Sequence, residues 1–172
     1  LGYFVDNEQG WGKGDFSGFL ETLSDSSWSR KVWAEMLQQK FKTIESLNRQ
    51  RKTSFSSWDE VRLLKDRSAF PLLQEEIVAF ETAFAAQYFR VVSSTLKKYD
   101  PNHLYLGCRF TRQPKPWHIM QTAGKYCDVI TVNVYTFIVK ELETWHEATQ
   151  KPILIGEHHV PLASERQFPP NY

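Results

Sequence analysis

The chain has 172 residues, of which 41% are hydrophobic and 15% aromatic, enough to build one folded domain with a core. Its 21 Lys and Arg residues nearly balance 20 Asp and Glu residues, and no basic block could neutralise a row of phosphates, so no nucleic acid partner is expected. No apolar run approaches the roughly 20 residues of a membrane-spanning helix, so no membrane partner is expected.

The first half of the chain predicts one strand followed by helices. Residues 1–5 indicate a buried strand, and the glycines of "GWGKGDF" then predict a loop. Ser and Asp residues precede an amphipathic helical pattern over 28–47, and a polar, Ser-rich stretch over 49–61 predicts a loop or a short helix. From 74 to 99 the apolar positions follow a period of 3.6, which predicts a long helix that "DPN" ends.

The second half is predicted to alternate strands with helices. Continuous apolar or β-branched runs indicate strands at 103–110, 128–135 and 151–159, and helical patterns occupy 117–126 and 139–150. The tail, 162–172, is predicted to be a loop. Strands that are apolar throughout and are separated by helices favour a parallel sheet covered by helices, so the fold class is α/β.

Two architectures are consistent with such a sheet. A doubly wound sheet would need small residues in a phosphate-binding turn after its first strand, whereas "DNEQGWGKG" is polar and aromatic there. A (β/α)8 TIM barrel carries its chemistry at the carboxyl ends of its strands, where this chain has several polar side chains. We therefore predict a partial TIM barrel of about four strands, with no second domain over 1–172.

Spacing predicts an enlarged insertion after the first strand. Glu8 and Glu157 are 149 positions apart, whereas three βα units of a barrel take about 90 residues. The excess falls over 12–72, where the extra helical segments lie. The chain also begins at Leu1 inside a strand pattern, as though an upstream part were missing, and the open edges of a partial barrel could pair as a dimer.

The cysteines and histidines do not indicate a metal site or a cofactor. Cys108 and Cys127 lack CxxC spacing and are predicted to pack as small buried hydrophobes. His158 and His159 follow Glu157, but no HExxH motif or spaced ligand set accompanies them. A metallohydrolase on the same barrel is the weaker alternative, and we expect no metal and no cofactor.

Two glutamates stand where strand patterns end, Glu8 in "VDNEQ" and Glu157 in "LIGEHH". If both point into the pocket above a barrel, they supply the carboxyl pair that glycoside hydrolysis needs, one protonated to donate to the leaving oxygen and one ionised to attack the anomeric carbon. Asn7 could hydrogen-bond a sugar hydroxyl. Tyr135 could donate to Glu157 and favour its ionised form.

Further strand-end residues are candidates for binding a sugar. Asn133 is expected to face the pocket, and His159 shares the strand face of Glu157 by the period of two. Arg109 could contact substrate, brace Glu157, or form an ion pair at the barrel rim. Trp11 is the favoured stacking residue among the tryptophans.

Three other tryptophans precede the second strand. Trp28 and Trp33 are expected to pack between helices, while Trp58 lies in the Ser-rich stretch. All three could otherwise stack on sugar in the enlarged loop.

The motifs resemble those of a known group of enzymes. "Asn7-Glu8" and "Ile155-Gly156-Glu157" look like the acid/base and nucleophile signatures on strands four and seven of glycoside hydrolase clan A. Together "GYFVDNEQGWG", "LYLGCRF", "YCDVITVNVY" and "PILIGEHH" are similar to its agarase-like and β-galactosidase-like members. His158 and His159 stand where agarases tend to have a Phe-His pair.

The resemblance implies a retaining β-glycosidase that cleaves galactose-type polysaccharide or oligosaccharide, with Glu8 as acid/base and Glu157 as nucleophile. A polysaccharide-degrading enzyme would be secreted or periplasmic. The alternative is a truncated, non-catalytic half-barrel that binds carbohydrate.

Overall fold

The computed structural model describes residues 1–11, 23–64, 69, 72–112 and 117–159; the predicted loop at 162–172 lies outside them. The chain forms two compact units. One comprises Gly12–Phe84, and the other joins Leu1–Trp11 to Ala85–Tyr172. Each unit has its own hydrophobic core. The candidate site belongs to the second of these units.

The Gly12–Phe84 unit is helical where it is described. Its helices are α1 (Trp28–Phe41), α2 (Ile44–Arg51), α3 (Trp58–Arg62) and the first part of α4 (Gln74–Tyr99). Thr43 and Ser57 cap α2 and α3, since each side chain accepts a backbone N–H three residues on. The structure confirms the helical patterns in the sequence, but the stretch over 28–47 forms two helices, because Lys42 adopts φ 67° and Thr43 is extended. The predicted insertion over 12–72 stays a prediction.

The tryptophans of this unit differ in burial. Trp33 is fully buried, as predicted, and donates to the Val61 carbonyl, and Trp58 packs against the same core. Trp28 is 72% exposed, so its predicted packing is wrong. The reason is that Arg30, not Trp28, occupies the buried face of α1 at its start, where its guanidinium donates to the carbonyls of Leu23 and Arg62.

The second unit contains all five described strands, and every strand pair in it is parallel. The strands are β1 (Gly2–Tyr3), β2 (Leu104–Tyr105), β3 (Arg109–Thr111), β4 (Ile130–Val134) and β5 (Ile153–His158). Their order is β1-β2 in one sheet and β3-β4-β5 in the other. The helices α5 (Trp117–Gly124) and α6 (Leu142–Thr149) connect β3 to β4 and β4 to β5. The predicted α/β class with parallel strands is thereby confirmed.

The predicted strand at 103–110 is two strands instead of one. Gly107 has φ +80°, a left-handed conformation that interrupts the extended backbone between β2 and β3. Parallel hydrogen bonding to the first segment continues across this break. The Val5 amide donates to the Gly107 carbonyl at 3.1 Å, and the Glu8 amide donates to the Arg109 carbonyl at 2.8 Å. The first eight residues therefore run alongside β2 and β3.

The core of this unit lies between the strands and the helices that connect them. Cys108 and Cys127 are both buried and free, which confirms their predicted role as small core residues. The remaining buried side chains include Phe89, Tyr105, Phe110, Met120, Ile130, Val132, Val134 and Trp145. None of the described helices combines the length and apolar character needed to cross a bilayer.

The first strand is less buried than its apolar sequence predicts. Tyr3 and Phe4 are each 42% exposed. Tyr3 is drawn to the surface by its hydroxyl, which donates to the Asp100 carboxylate at 2.6 Å, and the Phe4 ring lies 5.5 Å from the Arg109 guanidinium. An apolar run alone does not show how much of a strand another element covers.

Candidate active site

A register shift in β5 turns Glu157 toward the site. Ile153 and Ile155 pack against the helix-covered core, and strict alternation would point Glu157 the same way. Instead Val132 pairs with Ile155 and Asn133 with Glu157, so Gly156 is an extra residue in the ladder. A β-bulge of this kind re-aims the side chains that follow it. The Glu157 carboxylate consequently reaches Arg109 and Tyr135.

Gly156 allows the strands to approach closely at the bulge. A Cβ atom there would lie 2.6 Å from Thr131 Cγ2, 2.9 Å from Arg109 Cδ and 3.0 Å from Asn133 Oδ1. These side chains occupy the space that any larger residue would need. The "IGE" sequence thus combines the bulge, the close approach and the carboxylate in three consecutive residues.

Two charge-assisted contacts hold the Glu157 carboxylate. Arg109 Nη1 lies 2.9 Å from Oε1, and the Tyr135 hydroxyl donates to Oε2 at 2.5 Å. The hydrogen bond to Glu157 raises the pKa of Tyr135 to about 12, so the phenol remains a donor at neutral pH. The hydrogen bond suggested for Tyr135 is observed, and of the roles considered for Arg109 the structure shows the brace on Glu157.

The Glu8 carboxylate has a neutral partner. Asn133 Nδ2 donates to Glu8 Oε1 and to Asn7 Oδ1, both at 3.1 Å. Asn133 is fully buried in β4, and its backbone pairs with Glu157 across the sheet. Because one buried residue adjoins both glutamates, the two carboxylates belong to one cluster. Their surroundings differ, since Glu157 faces a cation and a phenol whereas Glu8 faces an amide.

Trp11 and His159 are the remaining residues that the sequence predicted to bind sugar. The Trp11 ring is stacked on Phe89 with centroids 5.5 Å apart, and Tyr88 meets it edge-on at 5.3 Å. One indole face is thus covered by protein, and sugar stacking on the other stays a prediction. His159 is exposed just beyond the end of β5, and its predicted role in binding sugar also stays a prediction.

The sequence did not reveal a contact between α4 and the segment that carries Glu8. Tyr88 on α4 donates a hydrogen bond to the Asp6 carboxylate. Tyr88 is one of the apolar positions that predicted this helix, and its hydroxyl was assigned no role; a hydroxyl on an otherwise apolar face was the available signal. In the part of the chain that the structure describes, no group of three His, Cys, Asp or Glu residues is arranged to hold a metal ion.

Comparison with known proteins supports the resemblance in the motifs. A family model described as Beta-galactosidase (Glyco_hydro_42) matches residues 2–162. Beta-agarase A of Vibrio sp. (strain JT0107) is 30% identical over 98% of this chain, and Beta-agarase B of the same strain is 32% identical over 92%. A solved exo-beta-agarase is 33% identical, with a TM-score of 0.80 over 92% of this chain and 23% of its own.

The chain spans less than a fifth of the two curated relatives, 19% of the first and 18% of the second. The family match nevertheless covers most of the chain, including both glutamates and all the strands among the described residues. The chain therefore belongs to the Glyco_hydro_42 family, and it is an agarase-like member of glycoside hydrolase clan A.

Proposed function

We propose that the protein is a retaining glycoside hydrolase that cleaves β-linked galactose-type polysaccharide by double displacement. This chain would supply about strands four to seven of a TIM barrel. The observation that carries the proposal is the pair of unlike glutamates around Asn133, with Glu157 held by Arg109 and Tyr135. Agarase relatives point to galactose-type polysaccharide as the substrate class.

The chemistry assigns each glutamate a role. A Glu157 oxygen attacks the anomeric carbon and forms a glycosyl ester, while Glu8 donates its proton to the departing glycosidic oxygen. Water then attacks the anomeric carbon from the face opposite Glu157, Glu8 takes a proton from this water, and the bond between the anomeric carbon and Glu157 breaks to release the carboxylate. Arg109 and Tyr135 would stabilise that leaving carboxylate. Asn7, Asn133, Trp11 and His159 are proposed to contact the sugar.

The experiment uses the complete protein that the gene encodes and compares Glu157→Ala with Glu8→Ala. Both variants should lose most of their activity on agarose, and acid/base removal typically costs about 10²–10⁴-fold. Azide should restore turnover of an activated aryl glycoside by each variant, with a product of inverted configuration from Glu157→Ala and of retained configuration from Glu8→Ala. Glu147→Ala, an exposed change on α6, is the matched control and should behave as wild type.

Specific outcomes would count against the proposal. Full activity in either glutamate variant would remove that residue from the chemistry. Double displacement would be excluded if NMR of the first product showed that the wild-type enzyme inverts the anomeric centre. Binding of agaro-oligosaccharides without any turnover would identify a carbohydrate-binding protein instead of an enzyme.

A further inference from the structure

The segment that carries Glu8 has an unusual backbone. Asp6 has φ 67° and Glu8 has φ 48°, so left-handed residues with side chains stand on both sides of Asn7. Non-glycine residues adopt this conformation when surrounding contacts impose it, and such residues cluster at functional sites. Contacts with neighbouring elements must therefore fix the turn formed by Asp6, Asn7 and Glu8.

The neighbouring strand β3 fixes one side of the turn. The Glu8 amide donates to the Arg109 carbonyl at 2.8 Å, and Asn7 forms an isolated parallel bridge with Arg109. These contacts fix the position of Asn7 and Glu8 relative to β3. They do not involve the Asp6 side chain, which contacts another element.

Tyr88 supplies the contact on the other side. Its hydroxyl donates to the Asp6 carboxylate and lies 3.4 Å from the Val5 carbonyl oxygen. Its ring is wedged against Trp11 and Phe89, with centroid distances of 5.3 and 5.0 Å. Burial, and next the hydrogen bond to Asp6, raise the pKa of Tyr88 far above its usual value. The hydroxyl is therefore a permanent donor on a ring that packing has fixed.

We propose that Tyr88 is a positioning residue for Glu8: by binding Asp6 it holds the left-handed turn that aims the Glu8 carboxyl at the glycosidic oxygen. This inference rests on the acid/base role proposed for Glu8. Tyr88 contacts neither substrate nor reacting atoms in this role. It acts through the backbone that joins Asp6 to Glu8. Removal of the Tyr88 hydroxyl should therefore affect proton donation more than nucleophilic attack.

The test measures kcat/KM of Tyr88→Phe in the complete protein on two substrates with the same sugar. An oligosaccharide needs protonation of its leaving group, whereas an aryl glycoside with an activated leaving group needs little. We expect a loss of about tenfold or more on the oligosaccharide and of less than about threefold on the aryl glycoside. A merely structural role would lower both values equally, and equal losses or no loss would overturn the proposal.

Variants of Asp6 provide an independent measurement. Asp6→Ala removes the acceptor and should reproduce the leaving-group dependence of Tyr88→Phe. Asp6→Asn keeps an acceptor oxygen and tolerates the left-handed conformation, so it should retain most of the oligosaccharide activity. If Asp6→Asn and Asp6→Ala lose the same activity on both substrates, Tyr88 does not act through this hydrogen bond.

Two controls separate the possible failures. Tyr105→Phe removes another buried hydroxyl from the same core and should leave the ratio of the two activities unchanged. Glu8→Ala should show the strongest leaving-group dependence. If Glu8→Ala shows none, the acid/base role itself fails, together with the inference built on it. If Glu8→Ala shows it and Tyr88→Phe does not, only the positioning role is wrong.

Discussion

Replacing Gly156 by alanine should damage the site without touching either glutamate. The added Cβ would lie 2.6 Å from Thr131 Cγ2, 2.9 Å from Arg109 Cδ and 3.0 Å from Asn133 Oδ1. The first two distances are shorter than Cβ contacts in proteins, and the third is tighter than most of them, so a neighbouring group must move. Thr131 is β-branched, buried, and tied to the Leu106 carbonyl at 2.8 Å, and Asn133 is fully buried in β4.

Arg109 is the residue that can yield, since its side chain is long and partly exposed, with 29% of its surface accessible. Its movement would take the guanidinium away from Glu157, 2.9 Å distant. Overpacking by one methyl group typically costs about 1–3 kcal/mol. Loss of a hydrogen bond to a charged group costs about 1.5–3 kcal/mol, at the low end here because the pair is partly exposed. If the pair stabilises the transition state by that amount more than the ground state, its loss lowers kcat by about tenfold.

The assay compares Gly156→Ala with Gly10→Ala in the complete protein, by melting temperature and by kcat on an aryl β-galactoside. A Cβ on Gly10 would meet nothing within 4 Å, so this control should match or slightly exceed wild-type stability. Gly156→Ala should melt at a lower temperature and turn over more slowly. A Gly156→Ala protein with the melting temperature and kcat of the control would show that β4 and β5 are not packed as described.

Tyr135→Phe should destabilise the protein by an amount that is constant below about pH 10, because the pKa of Tyr135 is raised to about 12 in the folded state. The difference in stability between wild type and variant should shrink between about pH 10 and 12. Denaturation midpoints measured against pH would contradict this prediction if the difference already declined near pH 8. Burial raises the pKa of Cys108 to about 12, so iodoacetamide at pH 8 should modify Cys108 and Cys127 only after denaturation, as mass spectrometry would detect. Rapid labelling of the native protein would show that this core is open. The isolated 172-residue chain should associate through the edges of its parallel strands, and a stable monomer in size-exclusion chromatography would exclude this.

Regular periodicity made the helices predictable. The apolar stripe over 74–99 and the "DPN" stop correctly predicted α4, Gln74–Tyr99, because burial of one helix face leaves a repeat of 3.6 residues in the sequence. The hydrophobic pattern also located the strand ends, since an apolar run stops where a strand reaches its carboxyl end and leaves the core. Asn133, Tyr135 and Glu157 were identified in this way, and they lie together in the structure.

Features that depend on tertiary contacts were not predictable. The left-handed Gly107 divides a run that reads as one strand, and the extra residue at Gly156 reverses the face that strict alternation assigns to Glu157. Either glycine was compatible with an ordinary strand, because the pattern of apolar residues does not show where one extra residue is inserted. The bond between Tyr88 and Asp6 joins residues 82 positions apart, and no local pattern encodes such a pairing.

The two halves of the site differ in the length of chain that must be closed to form them. Tyr135 and Glu157 are 22 residues apart, within one strand–helix–strand unit, whereas Glu8 and Asn133 are separated by 125. In a flexible chain the longer closure costs about 1.5 kcal/mol more entropy. Partial unfolding that releases the first eleven residues would therefore leave Arg109, Tyr135 and Glu157 assembled. Such a state would keep the proposed nucleophile ordered and lack the proposed proton donor, and refolding of the N-terminal segment alone would restore the complete site.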